Sequence, residues 1–383
     1  MAGCREVGAS KLPHTASVRP IVPITLDQLR RHAVARTLFA PTTLPHAITR
    51  LGFVQADPLR APARAQDLIL RQRVRDYRAG ELERRYPRLA IEEDFFVNYG
   101  FLPRATAALM HPREARQAWL AARHAQAQAV LAFVRERGAV HPVEVDAHFA
   151  HGRVRNWFGG TGRASTELLD AMHYRGLLRI ARRDAGVRVY TARAPMPSPL
   201  DAAEAQARHD ALVDRVIATY APLPAATLGQ LLSQLCRGGV PQWQGDRSAA
   251  LARARARHPS ARVDGVDWLW PAGENPRSKR HGIDDTLRLL APFDPMVWDR
   301  RRFALFWGWD YRFEAYTPAA KRKLGHYALP LLWRGQVIGW GNLAWRDGRL
   351  DARLGYVAGR APRDAAFRRA LDEELARFTA FLR

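Results

Sequence analysis

Gln55-Ala56-Asp57 sets an amide and a carboxylate two positions apart, immediately ahead of Pro58. The proline ring disfavours helical backbone at Asp57, and in an extended chain alternate side chains share one face. Gln55 and Asp57 would then stand side by side and could hold one water between them, because a carboxylate accepts hydrogen bonds and an amide both donates and accepts. Such a pair suits general-base chemistry on water. The tripeptide equally fits the solvated end of a strand, with Asp57 opening the turn before Pro58. Other constellations fall short. His141, Glu144, Asp146, His148 and His151 are of metal-ligand type, but their spacing is neither His-Glu-x-x-His nor that of a zinc finger, and a polar helix edge accounts for them. Gly159-Gly160-Thr161-Gly162 lacks the lysine and spacing of a phosphate-binding loop and reads as the turn before a helix. Cys4 and Cys236 are too few and too far apart for a zinc site or a disulfide framework, so no structural metal is expected and a reducing compartment suits the chain; no organic cofactor is expected either. Trp298, Trp307, Trp309, Trp333, Trp340 and Trp345 offer either core packing or surfaces for stacking bases.

The 60 Lys plus Arg against 37 Asp plus Glu give a net charge of +23, which favours a polyanionic partner. Lysine occurs only at 11, 279, 321 and 323, leaving 56 of the 60 cations as Arg. Arginine suits bidentate phosphate recognition, although an Ala- and Arg-rich coding bias would also scatter it over solvated faces. A chain of 383 residues with 47% hydrophobic and 25% charged residues is ordinary globular material of two or three domains. The uncharged stretch 216–236 is long enough to test against a membrane, but Pro222 and Pro224 break it into two helices and a loop. Residues 1–20 lack the apolar core and cleavage site of a secretory signal and are expected to form a disordered arm. A cytoplasmic, nucleoid-associated monomer is the expectation.

Helical spacing begins after Thr25, an N-cap candidate, and continues over 45–51 to Gly52. A helix is expected over 64–74, burying Ala65, Leu68 and Ile69, with Arg64, Arg71, Arg73 and Arg75 on its surface. Helices over 124–137, 143–149 and 163–174 precede a hairpin in which Leu178 and Ile180 alternate with polar residues, Asp184-Ala185-Gly186 turns, and Val187, Val189 and Thr191 alternate back. Three helices and a hairpin make a winged helix. The pattern recurs over 201–219, 227–236 and 246–258, with a turn at Asp264-Gly265, and residues 21–118 carry helices in the same order without a legible wing. After a linker at 271–280 come strands at 327–333, 337–345 and 349–357 and a closing helix over 364–382. The expected fold is therefore α+β, mainly α: an arm (1–20), winged-helix-like segments at 21–118, 119–195 and 196–280, and a C-terminal antiparallel β unit at 281–383. Winged helices bind DNA through a helix in the major groove and also serve as protein-interaction modules.

The run Ala291-Pro292-Phe293-Asp294-Pro295-Met296-Val297-Trp298-Asp299-Arg300, continued by Asp310-Tyr311-Arg312-Phe313-Glu314, Tyr316-Thr317-Pro318-Ala319-Ala320-Lys321-Arg322-Lys323 and Tyr327-Ala328-Leu329-Pro330-Leu331-Leu332, resembles the YcaQ-like winged-helix DNA glycosylases. The likeness includes Val54-Gln55-Ala56-Asp57, which falls on that family's catalytic Gln-aliphatic-Gln or Gln-aliphatic-Asp motif, and Phe101-Leu102-Pro103-Arg104. It implies a monofunctional glycosylase acting on duplex DNA with alkylated purines or interstrand crosslinks. Asp57 would be the base and electrostatic partner, and Gln55 would orient the water. Arg104 and Arg300 match the family too and are candidate DNA contacts, and Lys321, Arg322 and Lys323 beside the motif suit either phosphate contact or a solvated loop. To these, position adds Arg64 and Arg163, the latter at a helix N-terminus. Both Arg104 and Arg300 could instead pair with carboxylates such as Asp94 or Asp299.

The sequence departs from the family pattern in three places. Ala56 is the smallest aliphatic choice for its position. Phe95-Phe96-Val97-Asn98-Tyr99 replaces a Trp-Ala-His-Glu-like stretch, so Val97 and Asn98 stand for a histidine and an acid. Gly339-Trp340-Gly341-Asn342-Leu343-Ala344 replaces Gly-Arg-x-Asp-x-Lys, so Trp340, Asn342 and Ala344 are neutral at charged positions. The alternative function is a non-catalytic, regulator-like winged-helix DNA-binding protein.

Overall fold

The computed structural model describes residues 23–115, 117–155, 160–199 and 201–383. The expected arm at 1–20 and Gly159 lie outside the described residues. The Thr25 side chain accepts from the Gln28 N–H while the Gln28 side chain accepts from the Thr25 N–H. This capping box starts the helix Leu26–Thr37. The next helix, Leu44–Leu51, buries Leu44, Ala47, Ile48 and Leu51, the single apolar stripe that a 3.6-residue period allows.

One arrangement then occurs three times: a helix, a short strand, two helices and a hairpin whose second strand pairs with the short strand. In the first copy the helix Leu44–Leu51 leads to Val54–Gln55, the helices Ala65–Leu70 and Glu81–Arg85, and the hairpin Ile91–Phe95 with Tyr99–Pro103. The second runs from Ala121–Arg137 through Ala139–Val140, Pro142–Phe149 and Ala164–Tyr174 to the hairpin Leu178–Asp184 with Val187–Ala192. The third runs from Ala202–Tyr220 through Leu223–Pro224, Ala225–Gly238 and Arg247–Arg257 to Ser260–Val263 with Val266–Leu269. The first hairpin is the one the sequence did not reveal. Its turn, Phe96-Val97-Asn98, buries Phe96 and Val97 in a core and carries neither glycine nor proline, the usual turn signals.

The C-terminal part is a four-stranded antiparallel sheet in which Leu329–Trp333, Gln336–Arg346 and Arg349–Tyr356 form the expected meander and Arg288–Leu289 adds an edge. Asp364 caps the closing helix Ala365–Leu382 through the Ala366 N–H. The linker residue Glu274 is anchored, 2.8 Å from His32 and 2.9 Å from Arg36. The fold is thus α+β with small antiparallel sheets, and no helix among the described residues is long and apolar enough to cross a membrane.

These parts are not independently packed. One apolar cluster joins Leu44 and Phe101 to Val130, Leu168 and Tyr190 and on to Leu329 and Phe378. A second joins Leu29, Phe53 and Phe96 to Val216, Trp268, Phe303 and Leu332. Buried ion pairs add direction to these contacts. The helix expected over 64–74 ends at Leu70, and two arginines expected on its surface are buried instead, because C-terminal carboxylates receive them. Arg71 lies 2.8 Å from Glu374 of the closing helix. Arg73 meets Asp294 through two bonds of 2.8 and 2.9 Å and also donates to the carbonyls of Thr37 (2.8 Å) and Ile69 (2.7 Å). Both Arg73 and Asp294 are fully buried.

Removing one partner of such a pair strands a charge in the core. Asp294→Ala is expected to lower the unfolding free energy by about 3–5 kcal/mol in denaturant titration, and Arg73→Met/Asp294→Leu together to recover most of that loss. A cost below about 1 kcal/mol, the level of a surface pair, would refute the buried pair.

Candidate active site

Gly52, at φ +76°, closes the helix Leu44–Leu51 and turns the chain into the strand Val54–Gln55. That strand lies against Tyr99–Pro103, with Gln55 opposite Gly100, and the Ala56 N–H extends the pairing to the Tyr99 carbonyl at 3.0 Å. A Cβ at position 100 would lie 2.4 Å from the Val54 carbonyl oxygen, so only glycine lets the strands seat this closely. Gln55 is buried as a result, and its Oε1 accepts no hydrogen bond from the described residues. Asp57 is partly buried. Its Oδ1 accepts from the Leu59 N–H at 2.9 Å, and its own N–H points at the buried Gln66 Oε1, 3.5 Å away. Burial pushes the Asp57 carboxyl up, and the Leu59 N–H offsets this in part.

Gln55, Asp57 and Gln66 line one cavity of about 650 Å³. Its remaining walls come from distant parts of the chain. The second hairpin supplies Arg183, Gly186 and Arg188, and the C-terminal part supplies Phe293, Phe313 and Tyr316. Phe293 and Phe313 meet edge to face at 5.0 Å, while Tyr316 stands 77% exposed. The cations are held in place by carboxylates: Arg64 pairs with Glu83, Arg183 with Glu93, and Arg188 with Asp170 at 2.7 Å. Burial disfavours the Glu93 charge, but the hydrogen bond and charge of Arg183 and the charge of Arg188 hold its carboxyl below the usual range.

The family model for the AlkZ-like DNA glycosylases matches residues 48–381. The chain belongs to the AlkZ-like DNA glycosylase family. In fold it is similar to a solved DNA glycosylase AlkZ of Streptomyces sahachiroi, with 13% identity, a TM-score of 0.59, and coverage of 94% of this chain and 97% of that one. This AlkZ-like chain therefore stands among the DNA glycosylases of DNA repair.

The AlkZ-like fold brings Gln55, Asp57 and Arg64 to one cavity and leaves the other named cations elsewhere. Arg104 is half exposed and pairs with Glu92 at 3.0 Å, a neighbour of the Asp94 considered from sequence. Arg300 turns inward, donating to the carbonyls of Val297 and Pro292 and lying 4.6 Å from the Tyr311 ring. Arg163 precedes the helix Ala164–Tyr174, half exposed and 3.1 Å from Asp146. Lys321 and Lys323 are exposed, and Arg322 donates to the Thr317 carbonyl at 2.7 Å. Their loop is held by Glu314, whose carboxylate accepts the N–H groups of Lys323, Leu324 and Gly325.

Gln66, Arg183, Arg188, Phe293, Phe313 and Tyr316 were not singled out as site residues. The aromatic trio lay inside the family-like motif and the two arginines flank the legible hairpin turn, whereas Gln66 carried no signal beyond a polar residue among inward-facing ones. The His141 cluster has structural tasks. His141 caps the helix Pro142–Phe149, His148 stacks on Phe133, and no group of three or more metal-ligand residues forms among the described residues. A Cys236–His209–Asp246 array resembles a nucleophilic triad, with His209 2.8 Å from Asp246, but its thiol is buried and pushed up to about 11.

Because the folded pKa of Asp57 is raised, its ionised form destabilises the fold above that pKa, and the penalty fades as pH falls through it towards 3.8. Asp57→Asn is therefore expected to melt higher than wild type at neutral pH, with the gap closing on acidification. A lower melting temperature at neutral pH would give Asp57 the opposite sign.

Proposed function

We propose that the chain is a monofunctional glycosylase that hydrolyses the N-glycosidic bond of alkylated purines in duplex DNA, N7-alkylguanine and one side of an interstrand crosslink among them. The observation that carries this reading is the pairing of Gln55 and Asp57 in a cavity walled by aromatic rings. No lysine lines that cavity among the described residues, which favours water over an amine as the nucleophile.

N7-alkylguanine is cationic and departs as a neutral base, so the C–N bond can break without a proton donor. The bonding electrons leave with the base, and positive charge develops on the sugar, where the Asp57 carboxylate stabilises it. Water held by Gln55 and Asp57 adds to the anomeric carbon as its proton passes to Asp57. Phe293, Phe313 and Tyr316 offer faces that attract a cationic ring. An exposed Tyr316 and a half-buried Asp57 suit an open cleft, into which a bulky adduct fits better than into a tight flipping pocket. We read the three repeated units as winged helices, with Lys321, Lys323 and Arg163 set for phosphates.

A DNA-binding protein without turnover is the competing reading, and the departures from the family pattern favour it. The substituted residues nevertheless have structural tasks. Val97 is core, Trp340 stacks on Trp309 at 5.7 Å, and Asn342 donates to the Leu324 carbonyl at 2.7 Å. Base release from duplexes carrying N7-methylguanine or a nitrogen-mustard crosslink separates the two. Wild type is expected to generate alkali-labile sites, with the single-turnover rate falling about 10²–10⁴-fold in Asp57→Asn and about 10²-fold in Gln55→Ala. Tight binding without release from either duplex would reject the glycosylase reading. Replacing Lys321 and Lys323 by Gln should reduce the slope of log K against log salt by about 1.8, two phosphate contacts, whereas an unchanged slope would remove that loop from the interface.

A further inference from the structure

The cavity that Gln55 and Asp57 line has two further walls of contrasting chemistry: Phe293, Phe313 and Tyr316 are aromatic, and Arg64, Arg183 and Arg188 are cationic. The second hairpin brings Arg183 and Arg188 there, and a buried carboxylate sets them. Glu93, 1% exposed, accepts from Arg183 Nε at 3.0 Å and from the Tyr99 hydroxyl at 2.7 Å, and lies 3.6 Å from Arg188 Nε. The Arg188 guanidinium lies over the Tyr99 ring, 4.6 Å from its centre, and Tyr99 lines the same cavity. Arg188 donates from Nη1 to Asp170 at 2.7 Å, and its Nη2 has no acceptor among the described residues. The side chain keeps 28% of its surface exposed. A guanidinium carries five N–H donors in one plane. Here a ring against it and carboxylates beside it fix that plane while Nη2 stays unpaired.

A nucleotide matches these walls part for part. A phosphodiester is one sugar away from the anomeric carbon, so a strand that brings that carbon to Asp57 brings its flanking phosphates to the same cavity. A cationic, alkylated base is repelled by guanidinium groups and attracted by ring faces, which leaves the cationic wall to a phosphate. Planar N–H donation to phosphate oxygens is the recognition for which arginine is suited. Glu93 and Asp170 also cancel the charge that Arg183 and Arg188 would otherwise set against a developing cation on the sugar, and they leave Nη2 of Arg188 unused. We propose that Arg188 is the ligand of one of the two phosphodiesters that flank the lesion nucleotide, with the sugar at Asp57 and the base on the aromatic wall. This assignment rests on the hydrolytic reading above.

A methylphosphonate in place of one phosphodiester removes its charge and nearly keeps its shape. In N7-methylguanine duplexes carrying it at one flanking linkage or the other, the wild-type single-turnover rate of base release at subsaturating enzyme is expected to fall about 10–100-fold at one of the two. Arg188→Gln should lose a similar factor on the unmodified duplex, and the methylphosphonate should then cost it less than about twofold more. Arg188→Lys, which keeps the charge and loses the planar fork, should recover only part of the rate. A slow Arg188→Gln as sensitive to methylphosphonate as wild type would make Arg188 a structural tie to Asp170 and overturn the assignment, as would a wild-type rate in that variant. Wild type indifferent to both replacements, with activity still abolished by Asp57→Asn, would overturn it and spare the hydrolytic reading. Absence of base release by wild type from the unmodified duplex would overturn both.

Discussion

The buried Arg73–Asp294 pair is the constraint on which the site depends. Arg73 lies between Thr37 and Ile69 of the N-terminal part and takes its charge partner from a residue more than two hundred positions away. Asp294 in turn caps the helix Pro295–Trp298 through the Met296 N–H at 2.9 Å. Phe293, one position earlier, is thereby fixed in the cavity that Gln55 and Asp57 share. An unpaired charge on either side would be costly at this depth, so the N-terminal strand and the C-terminal aromatic wall have one register relative to each other. The Arg71–Glu374 pair repeats the device with the closing helix.

The cations of this strongly basic chain fall into two groups. Around the cavity and between the repeated units they are matched by carboxylates: Glu83 for Arg64, Glu93 for Arg183 and Asp94 for Arg113, with the His111 ring hydrogen-bonded to Asp94 as well. Burial works against the Asp94 charge, but Arg113 and His111 hold its carboxyl well below the usual range. These pairs orient side chains. The second group, exemplified by Lys321 and Lys323, is exposed, and in the proposed reading it meets phosphates. Net charge alone separates neither group from the other, and this is why Arg300, a motif residue, proves to be a helix-end clamp on two carbonyls.

Local chemistry explains what the sequence made legible. Thr25, Gly52, the Asp184-Ala185-Gly186 and Asp264-Gly265 turns and the alternating C-terminal strands each announce themselves through side chains acting on their own backbone, and the elements stand where expected within a few residues. The hairpin Ile91–Phe95 with Tyr99–Pro103 escaped because Glu92, Glu93 and Asp94 are buried there by arginines from elsewhere, so its strands do not alternate apolar with polar. The helix over 64–74 was overextended for the same reason: Arg71 and Arg73 look like a solvated face until their distant partners are known. In the site, Gln55 and Asp57 were legible as a pair, whereas Gln66, Arg183 and Arg188 acquire meaning only from long-range contacts.

Asp57 is raised by burial, and in the hydrolytic reading that cost is returned when cationic charge develops on the sugar beside it. The affinity for a duplex carrying a cationic pyrrolidine in place of the lesion sugar, set against one carrying neutral tetrahydrofuran, measures this directly. The pyrrolidine duplex should bind at least about 100-fold more tightly, and Asp57→Asn should erase the difference. Equal affinity of wild type for both duplexes would mean that Asp57 does not face the reacting sugar.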